Sequence, residues 1–188
     1  LPPDANAWDR SYNVYFGDGS EHPVRVALPG EPGGRHYSNS TEHAPSGFTN
    51  EDPKVRADMV ARRLRRMEAI VQEADRPVLV HGPAGADAEI VLLSWGSTTE
   101  ACREAADRLA ASGRKARVVA IRLLWPFPRA AAEAALAGSA PILCVEANGF
   151  GQLARLVKSE LPVHARLRSL AISDGRPIPS DTVLEALR

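Results

Sequence analysis

The chain has 188 residues, 44% of them hydrophobic, with 23 Lys and Arg against 23 Asp and Glu. That length supports one ordinary core plus an extension, and a formal charge of zero excludes the one-signed field that draws nucleic acid, anionic membranes or strongly charged substrates. Two cysteines, Cys102 and Cys144, make neither a CxxC pair nor a four-cysteine cluster, and no apolar run reaches the roughly 20 residues of a spanning helix.

The opening, Leu1-Pro2-Pro3-Asp4, lacks the basic region and apolar core of a secretion signal, so the cytoplasm is the expected compartment. Beginning on loop residues without Met, it reads as cut from something longer. The basic residues are 20 Arg and 3 Lys amid abundant Ala, a composition that fits a GC-rich bacterial coding sequence. Residues 1 to 52 are crowded with Pro, Gly, Asn and Ser, and Pro29-Gly30-Glu31-Pro32-Gly33-Gly34 defeats regular structure. Only a hairpin of Tyr12 to Phe16 with Val24 to Leu28 is foreseen there, too little for a core of its own.

From residue 53 the character changes. Asn50 and Asp52 offer caps, Pro53 suits a first turn, and Val55, Met59, Val60, Leu64, Met67, Ile70 and Val71 recur at helical spacing. A helix over about 53 to 75 is expected inside a linker of residues 53 to 77, its other side carrying Arg56, Arg62, Arg63, Arg65 and Arg66 to solvent.

Residues 78 to 188 then alternate regularly. Apolar runs at Val78 to Val80, Glu89 to Leu93, Ala116 to Leu124, Pro141 to Val145 and Leu167 to Ile172 are candidate buried strands. Helical stretches lie between them at about 98 to 112, 128 to 137 and 151 to 160, with a last one from Ser180 to Leu187. Near-continuous apolar strands joined by helices predict a mostly parallel, about five-stranded sheet in a three-layer α/β/α sandwich. Ser97 or Thr98 is the expected cap of the first of these helices, with Gly113 and Gly138 as stops for the first and second.

Several motifs suggest chemistry. Gly149-Phe150-Gly151-Gln152-Leu153-Ala154 is a G-x-G-x-x-A run that follows a strand and opens a helix, with Asp174 further on, the outline of a dinucleotide-binding turn. Glu146-Ala147-Asn148 separate the strand from the glycines, however, and this is the third crossover rather than the first. A sharp turn that starts a helix close to the sheet is the preferred reading, with a nucleotide-binding module as the alternative. Ser94-Trp95-Gly96-Ser97-Thr98-Thr99 suits either a cap or an anion at a helix start. Five histidines, His22, His36, His43, His81 and His164, lack metal-ligand spacing. Glu42-His43 sits in a loop, where polar residues often serve function, and Trp125-Pro126-Phe127-Pro128 is a rigid apolar knob that either folds back onto the core or meets a partner.

Taken together and in order, these segments carry a resemblance: Leu28-Pro29-Gly30, Glu42-His43, Glu51-Asp52-Pro53, Met59 through Glu68, His81-Gly82-Pro83, Ser94-Trp95-Gly96-Ser97-Thr98, Trp125-Pro126-Phe127-Pro128, Glu146-Ala147-Asn148, Gly151-Gln152-Leu153-Ala154-Arg155 and Asp174-Gly175-Arg176-Pro177. The chain resembles the C-terminal part of the alpha subunits of 2-oxoacid:ferredoxin oxidoreductases, above all the 2-oxoglutarate type. The resemblance implies that residues 1 to 52 are the tail of a thiamine-diphosphate-fold domain and that 78 to 188 form a domain like the C-terminal domain of transketolase, which also occurs in other thiamine-diphosphate enzymes. It implies a whole enzyme that decarboxylates a 2-oxoacid oxidatively to an acyl-CoA and reduces ferredoxin, using thiamine diphosphate, magnesium, an iron-sulfur cluster and CoA. The family's Tyr-Pro-x-Thr-Pro active-site signature is not among these residues, so no catalytic, cofactor-binding or metal residue is expected here. The implied role is assembly with a beta subunit and the remainder of the alpha subunit, and with ferredoxin through the complex. The residues expected to face a subunit interface or active site are Glu42, His43, Trp125, Phe127, Glu146, Asn148 and Gln152.

Overall fold

A computed structural model describes residues 28, 30, 41–44, 47–83 and 87–188. The chain divides into two units, residues 1–73 and 74–188. The foreseen hairpin lies outside the described residues apart from Leu28.

In the first unit, helix α1 (Pro53–Glu73) starts where the caps require. The Asp52 carboxylate accepts from the Lys54 N–H at 2.7 Å, and Asn50 Oδ1 accepts from the Asp52 N–H at 2.8 Å, so donors at the helix start are satisfied locally. The expected apolar stripe is covered only in part: Met59 is buried, whereas Leu64 is 62% exposed and Met67 37%. Periodicity tells which residues share a face and says nothing of what covers it. Before the helix, His43 and Thr49 bridge antiparallel, and a tight turn closes between Ala44 and Phe48 through Gly47 at φ +83°.

The second unit is an α/β sandwich, as the alternation predicts. Strands β1 (Val78–His81), β2 (Ile90–Ser94), β3 (Ala116–Ile121), β4 (Ile142–Glu146) and β5 (Leu167–Ala171) form one sheet in the order β1-β3-β2-β4-β5. Helices α2 (Thr98–Ala111), α3 (Arg129–Ala135), α4 (Gln152–Glu160) and α5 (Ser180–Glu185) flank it. Four strands run parallel, with Leu92 opposite Val118 and Leu143, while β1 joins the edge antiparallel, Val80 opposite Val119.

Strands β2, β3 and β4 are buried at every position because both faces are covered. Side chains alternate across a strand. Val91, Leu93, Val119, Ile121, Ile142 and Cys144 share one core with α3 and α4. Ile90, Leu92, Val118, Leu143 and Val145 share the other with α2 and α5. Arg117 interrupts the run on β3 yet is only 2% exposed; its guanidinium donates to the carbonyls of Pro83 at 2.7 Å and Ala135 at 3.2 Å, the second at the negative end of α3. β3 stops three residues earlier than its apolar run, because Arg122 and Leu123 both donate to the Pro77 carbonyl and turn the chain.

The crossover after β2 leads to β3 on one side, and the crossover after β4 leads to β5 on the other. The chain direction therefore reverses between β2 and β4, the place where open α/β sheets leave a crevice beyond the strand ends.

Candidate functional site

The rim beyond β2, β4 and β5 is organised by one buried carboxylate. Glu146, the last residue of β4, has no exposure to solvent. An unpaired carboxylate there costs several kcal/mol, and four donors meet it. The N–H groups of Leu153 and Ala154 reach its two oxygens at 2.6 and 3.0 Å, Asn148 Nδ2 at 2.9 Å and the Cys144 thiol at 3.4 Å. The two amides open α4, so the carboxylate also sits at the positive end of that helix. Asn148 Oδ1 in turn accepts from the N–H groups of Phe150 at 3.0 Å and Gln152 at 3.3 Å. Two side chains from one strand end thus hold four amides of the following turn.

The glycines fit this closeness. Gly151 has φ +61°, and a Cβ there would stand 2.9 Å from Ser169 Oγ and 3.6 Å from Glu146 Oε1, so both the conformation and the contact call for glycine. This geometry corrects the nucleotide-binding alternative. In a dinucleotide site the helix start is open to pyrophosphate, whereas here the chain's own carboxylate fills it. Asp174 is likewise engaged: it accepts from the Arg176 N–H at 3.0 Å and from the Arg176 guanidinium at 2.6 Å, and these bonds hold its carboxyl below the usual range.

Both thiols are buried fillers. Burial pushes Cys102 up to about 12, and burial with Glu146 alongside pushes Cys144 above the ordinary thiol range. They belong to opposite faces of the sheet.

At the head of α2, Ser97, one of the two expected caps, holds the cap position, but its backbone is in the right-handed helical region and it makes no side-chain capping bond. Thr98 acts instead, its hydroxyl lying 3.0 Å from the carbonyls of Trp95 and Val145 and tying the ends of β2 and β4 together. Beside it opens a cleft of about 440 Å³, walled by Ser97, Thr98, Ala147, Ile172, Ser173 and Arg176. Its far wall comes from the loop after β5, where the resemblance places the Asp174-Gly175-Arg176-Pro177 segment.

The aromatic knob divides. Trp125 is 67% exposed, but Phe127 is 9% exposed and packs in the α3/α4 core. Phe127 is therefore corrected from interface candidate to core residue: beyond β3 the chain folds back, and the ring enters the sheet's apolar face. Phe150 was missed; it is 70% exposed between two glycines, with the Arg155 guanidinium 5.9 Å from its ring centroid. Its signal in the sequence was a large apolar residue within a glycine turn.

Of the seven candidates, the structure brings Glu146, Asn148 and Gln152 together, with the Gln152 side chain exposed. Glu42 and His43 belong to the first unit. There Arg63 grips both Glu42 oxygens, at 3.1 and 2.6 Å, and His43 Nδ1 lies 3.7 Å from the same carboxylate. The Arg63 hydrogen bonds pull the Glu42 carboxyl down to about 2. The sign follows: a lowered folded-state value favours the fold above the ordinary 4.5 and loses that contribution as pH falls from there towards 2. In Arg63→Ala the Glu42 carboxyl is expected to titrate near the ordinary value, measured by NMR titration; an unchanged titration would remove Arg63 as the cause.

Among the described residues no group of three or more His, Cys, Asp and Glu is placed to hold a metal, and no helix is long and apolar enough to cross a membrane.

Residues 88–183 match the family model of the pyruvate:ferredoxin oxidoreductase core domain II. The alpha subunit of 2-oxoacid:ferredoxin oxidoreductase 2 from Aeropyrum pernix is 33% identical over 149 residues, 78% of this chain and 23% of that one. The 2-oxoglutarate oxidoreductase subunit KorA of Mycobacterium tuberculosis is 30% identical over 165 residues, 85% of this chain and 24% of that one. A solved structure of 2-oxoglutarate:ferredoxin oxidoreductase from Magnetococcus marinus, with 2-oxoglutarate, coenzyme A and succinyl-CoA bound, superimposes with a TM-score of 0.79 at 26% identity, over 96% of this chain and 31% of that one. The chain spans about a quarter of the length of these curated relatives. The core-domain match and the relative at 33% identity show that the chain belongs to the 2-oxoacid:ferredoxin oxidoreductase alpha-subunit family, in the region of core domain II.

Proposed function

We propose that the chain is an assembly domain of an enzyme that oxidatively decarboxylates 2-oxoglutarate to an acyl-CoA and passes the electrons to ferredoxin. The observation that carries the reading is the Glu146 clasp: the one helix start with a dinucleotide-like turn is filled by the chain's own carboxylate, while Trp125 stands exposed on the same rim. Support for the substrate is the naming of the KorA relative and of the Magnetococcus enzyme for 2-oxoglutarate. Two observations support placing the cofactors of such an enzyme outside this chain. Two buried thiols on opposite sheet faces cannot ligate an iron-sulfur cluster together, and the filled α4 start offers no cradle for a diphosphate. We therefore assign thiamine diphosphate, magnesium, the cluster and CoA chemistry to the rest of the enzyme, chiefly a beta subunit, within a cytoplasmic bacterial complex. Residues 1 to 52 would end a thiamine-diphosphate-fold domain, 53 to 77 link it, and 78 to 188 form the domain that supports assembly.

The test uses the complete enzyme and this chain side by side. CoA-dependent reduction of ferredoxin is expected with 2-oxoglutarate in preference to pyruvate, and no turnover is expected from residues 1–188 alone supplied with thiamine diphosphate and an electron acceptor. Turnover by the chain alone sinks the assembly reading; preference for pyruvate sinks the substrate.

A further inference from the structure

We propose that Trp125 and Phe150 are two anchors of one docking surface, and that its occupant is the partner subunit, presenting an apolar patch with a carboxylate for Arg155. This rests on the assembly reading above. Single exposed apolar residues are ordinary on a protein surface; two large rings at one sheet end, 67% and 70% exposed, are not.

Their placement follows from topology. Trp125 follows β3 and Phe150 follows β4, and these strands flank β2, so the two loops leave the sheet two strand spacings apart, about 10 Å. Trp95, after β2, lies half-buried against the α3/α4 core between them. Both loops open towards that same side: the Trp125 loop enters α3 through buried Phe127, and Phe150 lies against Arg155 of α4. Neither loop is slack. Phe127 roots the first in the core, and Asn148 holds the Phe150 N–H in the second.

The occupant follows from charge and family. Arg155 is exposed, and among the described residues no carboxylate pairs with it. A surface of Trp, Phe and an available guanidinium has the composition of a protein–protein contact, where aromatics and Arg are enriched; among the described rim residues Glu146 and Asp174 are engaged by other groups, so no carboxylate of theirs completes it. The relatives are named as alpha subunits, which makes a partner subunit, rather than a second copy of this chain, the surface that supplies it.

The experiment compares Phe150→Ala, Trp125→Ala, the double variant and Arg155→Glu in the complete enzyme. Sedimentation gives the alpha–partner dissociation constant, and the thermal midpoint is taken for the alpha chain alone. Phe150→Ala is expected to weaken association roughly 10-fold with the midpoint unchanged, since truncated interface anchors lose 1 to 2 kcal/mol or more. Arg155→Glu is expected to weaken it as well, more strongly at low salt. Should Trp125→Ala loosen the complex while Phe150→Ala does not, the second anchor is refuted and the assembly reading stands. If neither loosens it, both fall. A lower midpoint of the alpha chain alone, or a change only in alpha–alpha association, overturns the choice of occupant.

Discussion

Glu146→Ala is expected to destabilise the chain by about 3 to 5 kcal/mol, the cost of removing one side of a buried charged network. The loss comes from what remains: the Leu153 and Ala154 amides, bonded to nothing else at the start of α4, each cost roughly 1 to 3 kcal/mol when stranded. Relief of the carboxylate's own desolvation offsets part of that. At about 2 to 4 °C per kcal/mol for a chain of this size, the thermal midpoint should fall by roughly 10 °C, and urea unfolding should show the same loss. Glu146→Gln keeps one acceptor oxygen but turns an amide NH2 towards the second N–H, so an intermediate loss is expected. A drop of less than about 1 kcal/mol in Glu146→Ala would mean that water serves those amides equally well.

Phe127 and Trp125, two residues apart, should behave oppositely. Phe127→Ala empties a site in the α3/α4 core and is expected to cost about 3 to 5 kcal/mol. Trp125→Ala removes a ring that is 67% exposed and should change the stability of the chain by about 0.5 kcal/mol or less. In the complete enzyme the order reverses. Trp125→Ala should loosen the subunits by roughly 2 kcal/mol, about 30-fold in dissociation constant, as read by co-purification with the partner. Equal destabilisation by the two substitutions would place Trp125 in the core with Phe127.

The middle of the sheet was legible because burial on both faces writes itself as unbroken apolar runs: Glu89 to Leu93 and Pro141 to Val145 each lie within a residue or so of the observed strand. Val78 to Val80 and Leu167 to Ile172 do form strands, but as the sheet's two edges they are not buried throughout as expected: Leu79 is 37% and Val80 50% exposed, and β5 is buried only at Leu167. What the residues did not disclose was direction. β1 is antiparallel because the link from His81 to Ile90 is too short for the crossover a parallel pairing needs. The split of Trp125-Pro126-Phe127-Pro128 was equally hidden, since one dipeptide pattern serves a ring turned in or a ring turned out, and only the path after Ile121 decides. Ser97 looked like a cap by residue type, yet its backbone is already helical, and Thr98 does the tethering. Glu146 was singled out by resemblance, but its task depends on amides seven and eight residues away, a partnership that backbone folding creates and no spacing rule encodes.

The Glu146–Asn148 clasp also bears on the timing of assembly. A turn rich in glycine ordinarily arrives at an encounter in many conformations, and each productive collision must wait for one of them. Here the ordering entropy of residues 148 to 152 is incurred when the domain folds, because the amides are already tied to β4. If Phe150 is the anchor proposed above, the backbone that carries its ring is already ordered at the encounter, and association should be set by diffusion and orientation rather than by loop closure. Loosening the clasp without touching the ring would then slow the forward rate of complex formation and leave dissociation of the formed complex nearly unchanged.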